Sequence, residues 1–227
     1  MGRQLRLELR RPPSYRRDEF IVSPGNATAV QAIDAWPQWH SGCLALVGPA
    51  GSGKSHLARA WAERVGAVIL IAGDDKVLTG LDPRQTRPVV IEDADRGAPD
   101  DTLFHLINRA GVEGGGLLLT AKTPPSAWTT HLPDLRSRLN ALTVAELPPP
   151  DDLVLEGVLR KFFREQNVRP ADDLIPYLLR RIERSVPYAR SLVERLDELA
   201  DAEQKPVSRA LARQLLDADH ETPDVFE

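Results

Sequence analysis

The chain has 227 residues, 42% of them hydrophobic and 27% charged, enough for one well-formed core plus a small second lobe without an external staple. Its formal net charge of −4 argues against a large surface devoted to neutralising nucleic-acid phosphates, and a single cysteine, Cys43, excludes a disulfide framework or a cysteine-built metal site. No apolar run is long enough to span a bilayer and no secretory pattern opens the sequence, so the expectation is a cytoplasmic protein with no membrane contact. The arginines near the start fit a mitochondrial presequence poorly, because Glu8 and the scarcity of serine run against it.

In chain order, "MGRQLRLELRR" alternates leucines with polar residues and is stopped by Pro12 and Pro13, which predicts an arm, residues 1–17, outside the folded body. On its own the pattern also suits an edge strand or a loose terminus. "FIVSPGNATAVQAIDAW" predicts an extended lead-in, a turn at Pro24-Gly25 and a helix carrying Val30, Ile33 and Trp36 on one face. "CLALVGPAGSGKSHLARAWAERVG" follows: a buried strand, a glycine-rich loop and a helix ended by Gly66. "AVILIAG", "PVVIEDAD", "GLLLTAK" and the apolar part of "LTVAELPPPDD" predict further strands, with "DTLFHLINRAGVEGG" as a helix among them.

Near-continuous apolar strands separated by helices indicate an α/β domain, residues 18–150, with a parallel sheet covered on both faces. Strand signals cease after Pro148 to Pro150. "LVLEGVLRKFFREQN", "ADDLIPYLLRRIER", "PYARSLVERLDELADAE" and "SRALARQLLDAD" then predict a small helical domain, residues 151–218, followed by an acidic tail, 219–227. The four tryptophans read as core or interface aromatics rather than a platform for bases.

"GPAGSGKS" follows a predicted strand and opens a predicted helix, which is the context a phosphate-binding P-loop requires. Gly48, Pro49, Ala50, Gly51, Ser52 and Gly53 would cradle phosphate oxygens with backbone N–H groups, aided by the helix dipole. Lys54 would reach the β- and γ-phosphates and the Ser55 hydroxyl would ligate magnesium. His56 is counted with this stretch but is assigned no chemistry of its own, since packing or capping suits its place on the helix. "PVVIEDAD" delivers carboxylates to the same sheet edge: Glu92 as the magnesium-side acid and Asp93 to orient or deprotonate an attacking water.

The series "FIVSPGNATA", "GPAGSGKSHLARA", "VVIEDAD", "LLLTAKTPPSAW", "LRSRLNALTVAELPPPD" and "PYARSLVERL" resembles, in order and over nearly the whole chain, the AAA+ module of the bacterial initiator DnaA. There is no room after "SRALARQLLDAD" for the DNA-reading domain of an initiator, so the sequence most closely resembles the shortened, DnaA-related regulators of the Hda family. That resemblance implies an AAA+ P-loop sheet with a helical lid, bound ADP or ATP with Mg, and a role in switching the initiator off.

It further implies that "QLRLEL", through Gln4, Leu5, Leu7 and Leu9, docks in extended form on the DNA polymerase III β sliding clamp. Arg138 of "LRSRL" would act in trans as an arginine finger on DnaA-bound nucleotide, and Arg190 would be the lid arginine that touches the phosphates of its own subunit. Ile21 and Val22 would lie against adenine, or simply pack, with Asn26 shaping the turn. DNA would be met only indirectly, and a homo-oligomer is left open.

Two departures from the family pattern point to weak intrinsic ATP hydrolysis: Lys122 stands where the initiator offers an acidic sensor 1 residue, leaving Thr120 as a substitute, and the paired acids are Glu-Asp rather than Asp-Asp. A helicase-loader or transposition-helper ATPase that binds single-stranded DNA is the competing expectation, and a small-molecule phosphotransferase the third.

Overall fold

Strands buried on both faces read as nearly continuous apolar runs, and three of the predicted runs do so, interrupted only by Glu92 and Thr120. In a computed structural model that describes residues 14–73 and 87–221, β1 (Cys43–Val47), β3 (Val89–Glu92) and β4 (Leu117–Ala121) are buried throughout. With β2 (Val68–Ile71) and β5 (Val144–Glu146) they form a five-stranded sheet in the order β2-β3-β4-β1-β5, every pairing parallel. Parallel neighbours need long crossovers, and the helices supply them.

Side chains alternate across each strand, so one strand feeds two cores. Leu44 and Leu46 of β1 join Val90 and Leu118 beneath α1 (Ala27–Asp34) and α2 (Lys54–Val65). Cys43, Ala45 and Val47 join Ile91, Leu117 and Leu119 beneath α3 (Asp100–Ala110) and α4 (Pro133–Ala141). Burial in this second core pushes the Cys43 thiol up to about 12, which makes it an inert packing group. On the first face Trp61 is fully buried, stacked on Trp39 at 5.0 Å and edge-on to Trp36 at 5.9 Å. Trp39, Trp61 and Trp128 are buried and Trp36 packs against the first core, so the tryptophans are core aromatics, one of the two readings the sequence left open.

After the three prolines the chain builds a third core of its own from α5 (Asp152–Glu165), α6 (Leu174–Leu179), α7 (Val186–Glu203) and α8 (Arg209–Glu221). Two caps fix where its helices begin: Asp151 accepts from the Val154 N–H at 2.9 Å, and Ser185 accepts from the Tyr188 N–H at 3.4 Å, with Pro187 in the first turn of α7.

The edges of these units differ from the expected ones. Residues 15–17 were expected in the arm, yet Arg17 pairs with Asp34 at 2.7 Å and Tyr15 packs on α2. The folded body therefore begins no later than Tyr15, and residues 1–13 of the arm lie outside the described residues. At the other end Asp219 belongs to α8 rather than to a tail, because Arg195 of α7 donates to it at 2.9 Å. The helix expected across "ADDLIPYLLRRIER" shortens to six residues, Leu174–Leu179, although Ile182 beyond it is still buried in the lid core.

Asp151 joins the two domains. Burial alone would raise its carboxyl, but the nearby Ser23 hydroxyl and the N–H groups of Val154, Gly25 and Leu153, of which Val154 donates at 2.9 Å, hold it below the usual carboxylate range. A depressed folded-state pKa stabilises above the unfolded value and loses that contribution as pH falls through the folded one. Asp151→Ala should therefore cost about 1 kcal/mol near neutral pH, the usual size for a lost N-cap. The gap should close in acid, below about pH 4. Urea melts of both proteins at neutral and acid pH measure this; a gap that persists in acid would contradict the assignment.

Candidate functional site

The loop between β1 and α2 is shaped by positions where only glycine fits. A Cβ on Gly48 would lie 2.1 Å from the Leu147 carbonyl oxygen. Gly51 (φ +74°) has Ser185 of the lid against it, where a Cβ would meet Oγ at 2.4 Å, and the Val186 N–H donates to its carbonyl at 3.1 Å. Gly53 adopts φ +102° and receives the Phe20 ring, which a Cβ would meet at 3.0 Å. Pro49 and Ala50 form an exposed crown, and the buried Ser52 hydroxyl donates to the Pro49 carbonyl at 3.0 Å.

Beneath the crown lies Lys54, buried, its Nζ donating to the carbonyls of Gly48 and Pro49, both at 2.7 Å. Burial lowers its pKa, and the carboxylates of Asp93 and Asp95 work in the opposite sense. A glycine-rich turn at the head of a 12-residue helix, with an ammonium at its base and carboxylates beside it, fits a phosphate group. Ser55, exposed on the first turn of α2, and Glu92 at the end of β3 are the residues that would hold a metal. Among the described residues no three metal-ligating side chains cluster, so an ion here would draw most of its ligands from phosphate oxygens and water, as magnesium commonly does.

The acids are held apart by different partners. Glu92 is 8% exposed, and its Oε1 accepts from Arg59 Nε of α2 at 2.9 Å. Asp93 takes left-handed backbone (φ 54°), its N–H donating to the buried Thr120 hydroxyl at 3.1 Å and its carboxylate 3.5 Å from Arg96. Thr120 thus sits at the acids. Sequence reasoning missed Asp95, whose Oδ2 accepts from the N–H groups of Lys122 (2.8 Å) and Thr123 (3.2 Å). It also missed Arg59. The only signal for Asp95 was its place in "VVIEDAD".

Other expected residues scatter. His56 is half-buried; its Nε2–H donates to the Arg16 carbonyl at 2.9 Å, its ring meets Tyr15 and Phe20 edge-on, and burial lowers its pKa against that hydrogen bond. It secures the chain's beginning to α2. Ile21 packs against the lid, its Cδ1 filling the space a Cβ on Gly157 would take, while Val22 is exposed. Asn26 does shape the turn, accepting from the Ser23 N–H at 2.9 Å and donating to the Ile21 carbonyl at 3.0 Å.

Arg190 lies on α7 beyond the Ser185–Val186 contact with the loop; its guanidinium stacks 4.1 Å from the Phe162 ring and pairs with Glu165 at 3.3 Å. Its bonds are thus to the lid itself. The two arginines of "LRSRL" part ways: Arg136 donates to the carbonyls of Ser126 and Trp128, whereas Arg138 is exposed, 5.2 Å above the Phe104 ring, with no carboxylate partner among the described residues. Gln4, Leu5, Leu7 and Leu9 lie outside the described residues. No described helix is long and apolar enough to cross a membrane.

No protein-family model matches the chain. Its sequence is 24% identical over 230 residues to the chromosomal replication initiator protein DnaA of Thermomicrobium roseum, covering 90% of this chain and 50% of that protein. It spans about half the length of the curated relatives it matches. Its structure is similar to domain III of the Thermotoga maritima initiator DnaA, with a TM-score of 0.74 and 19% identity over 93% of this chain and 99% of that one. A DnaA bound to AMPPCP and single-stranded DNA aligns with a TM-score of 0.67 and 17% identity, over 85% of this chain and 69% of that one. The chain therefore has the AAA+ P-loop α/β fold and is related in sequence to the DnaA replication initiators.

Proposed function

We propose that this protein is a nucleotide-dependent negative regulator of replication initiation. Residues Gln4, Leu5, Leu7 and Leu9 dock on the DNA-loaded β sliding clamp, ADP or ATP with Mg occupies the loop at Gly48–Ser55, and Arg138 is presented to DnaA-bound ATP to promote its hydrolysis. The observation that carries this reading is Arg138 itself: an exposed guanidinium without a carboxylate partner among the described residues, on a helix whose other arginine is tied to the fold, in a chain related to the initiator. A finger must be available to a neighbouring molecule, and Arg138 is.

The loop geometry supports nucleotide binding, and AMPPCP in a similar DnaA structure supports an adenine nucleotide. Weak turnover of the protein's own nucleotide is supported by the Arg59 contact on Glu92 and by Lys122, a cation, at the end of β4. The resemblance to the Hda family favours an ADP-bound active form, and the setting is the cytoplasm, where initiator and clamp work on DNA.

Deleting residues 1–13 tests the division of labour. Clamp binding, followed by surface plasmon resonance, should be lost while affinity for a fluorescent ADP analogue is unchanged. Retained clamp binding, or loss of both, would contradict the reading.

A further inference from the structure

Arg59 is four residues beyond Ser55 on α2, so the two side chains share a helix face. That face turns toward Glu92, and the Arg59 Nε–H reaches Oε1 at 2.9 Å. The acid on which a magnesium ion would lean already has a cation of the chain's own. The guanidinium is not left to wander, because the Tyr15 ring covers it at 4.6 Å from its central carbon.

Tyr15 is in turn held edge-on by His56, and the residues that follow it form a strap across α2: the Arg16 carbonyl on His56, Arg17 on Asp34, Phe20 against Gly53. Glu19 of the same strap pairs with Lys161 of the lid helix α5. One short segment therefore touches the phosphate loop, the partner of the metal-side acid, and the lid.

We propose, on the footing of the nucleotide site above, that Arg59 is a positioning residue that substitutes for much of the divalent ion's charge at Glu92, and that the Tyr15 strap keeps it there. Mg²⁺ arriving with the nucleotide would then be held by phosphate oxygens, water and Ser55 rather than by Glu92, and would add little to affinity, because the carboxylate that would share the ion is already neutralised. Freed of Arg59, Glu92 becomes available and metal dependence appears.

The test is the ratio of affinities for a fluorescent ADP analogue in saturating Mg²⁺ and in excess EDTA, measured with the full chain. The wild-type ratio should stay within about threefold, and Arg59→Ala should raise it to about tenfold or more, the size of one charge-assisted contact passed from guanidinium to metal. Tyr15→Leu, which keeps Arg59 but uncovers it, should move the ratio the same way by less. This variant carries the test should Arg59→Ala fail to fold. Adding Glu92→Gln to Arg59→Ala should return the ratio to the wild-type value, which a merely structural role for Arg59 does not predict. Nucleotide binding with the same ratio in wild type and both variants overturns the inference alone. No nucleotide binding by wild type or either variant overturns it together with the nucleotide-site reading.

Discussion

Arg138→Ala should lower the stimulated hydrolysis of DnaA-bound ATP by about 10³- to 10⁵-fold, the range that arginine fingers contribute in other nucleotide hydrolases. In barrier terms this is about 4 to 7 kcal/mol, more than any single surface contact supplies to stability. The geometry explains why so large an effect need not disturb the fold. Helix α4 is secured by Leu135 and Leu139, both buried, and by Arg136 bonded to two carbonyls before it. Arg138 contributes only an exposed cation–π contact with Phe104, worth about 0.5 to 1 kcal/mol.

Arg138→Lys should rescue little. An ammonium keeps the charge but lacks the planar fork that engages two phosphate oxygens at once. Single-turnover hydrolysis of ATP preloaded on DnaA distinguishes these variants. Wild-type stimulation by Arg138→Ala would remove Arg138 from the mechanism.

Lys54→Ala should weaken binding of ADP and ATP by about 10²- to 10⁴-fold, on the basis of two charge-assisted hydrogen bonds at about 1.5 to 3 kcal/mol each. The lysine's present partners are the Gly48 and Pro49 carbonyls, two acceptors at 2.7 Å that hold the ammonium under the loop. Phosphate oxygens offer stronger acceptors in the same place, and the ammonium moves no farther than its own flexible stem to reach them. Removing it also leaves both loop carbonyls without their donor, so a modest fall in melting temperature should accompany the loss of affinity. Titration with a fluorescent nucleotide reads the first effect and a thermal melt the second. Unchanged affinity would mean that nucleotide is held elsewhere.

The parallel sheet and the phosphate loop were legible because their physical requirements are local. A strand buried on both faces must read as a nearly continuous apolar run, as "CLALV" and, but for Thr120, "GLLLTA" do, and a loop that wraps phosphate must contain glycines where "GPAGSGKS" has them. Arg59 and Glu92 are 33 positions apart, and their contact exists only because α2 lies across β3. No spacing rule reports it.

Asp95 was hidden for a related reason. A chain that turns through left-handed backbone at Asp93 sends the next acid back to the end of β4, and that turn is not written in residue type alone. The beginning of the folded body was placed too late because Tyr15 and Arg17 look like arm residues until His56 and Asp34 are seen beneath them. Arg190 lies on a helix charged along its length, and only the lid's own Glu165 and Phe162 show where its guanidinium rests.

The most direct measurement of the central claim follows ATP bound to DnaA, with and without this protein, in the presence and absence of sliding clamp loaded on DNA. Regulation of the initiator predicts that hydrolysis accelerates only when protein and loaded clamp are both present. Hydrolysis at the unstimulated rate in every combination, with the protein folded and nucleotide bound, would contradict it.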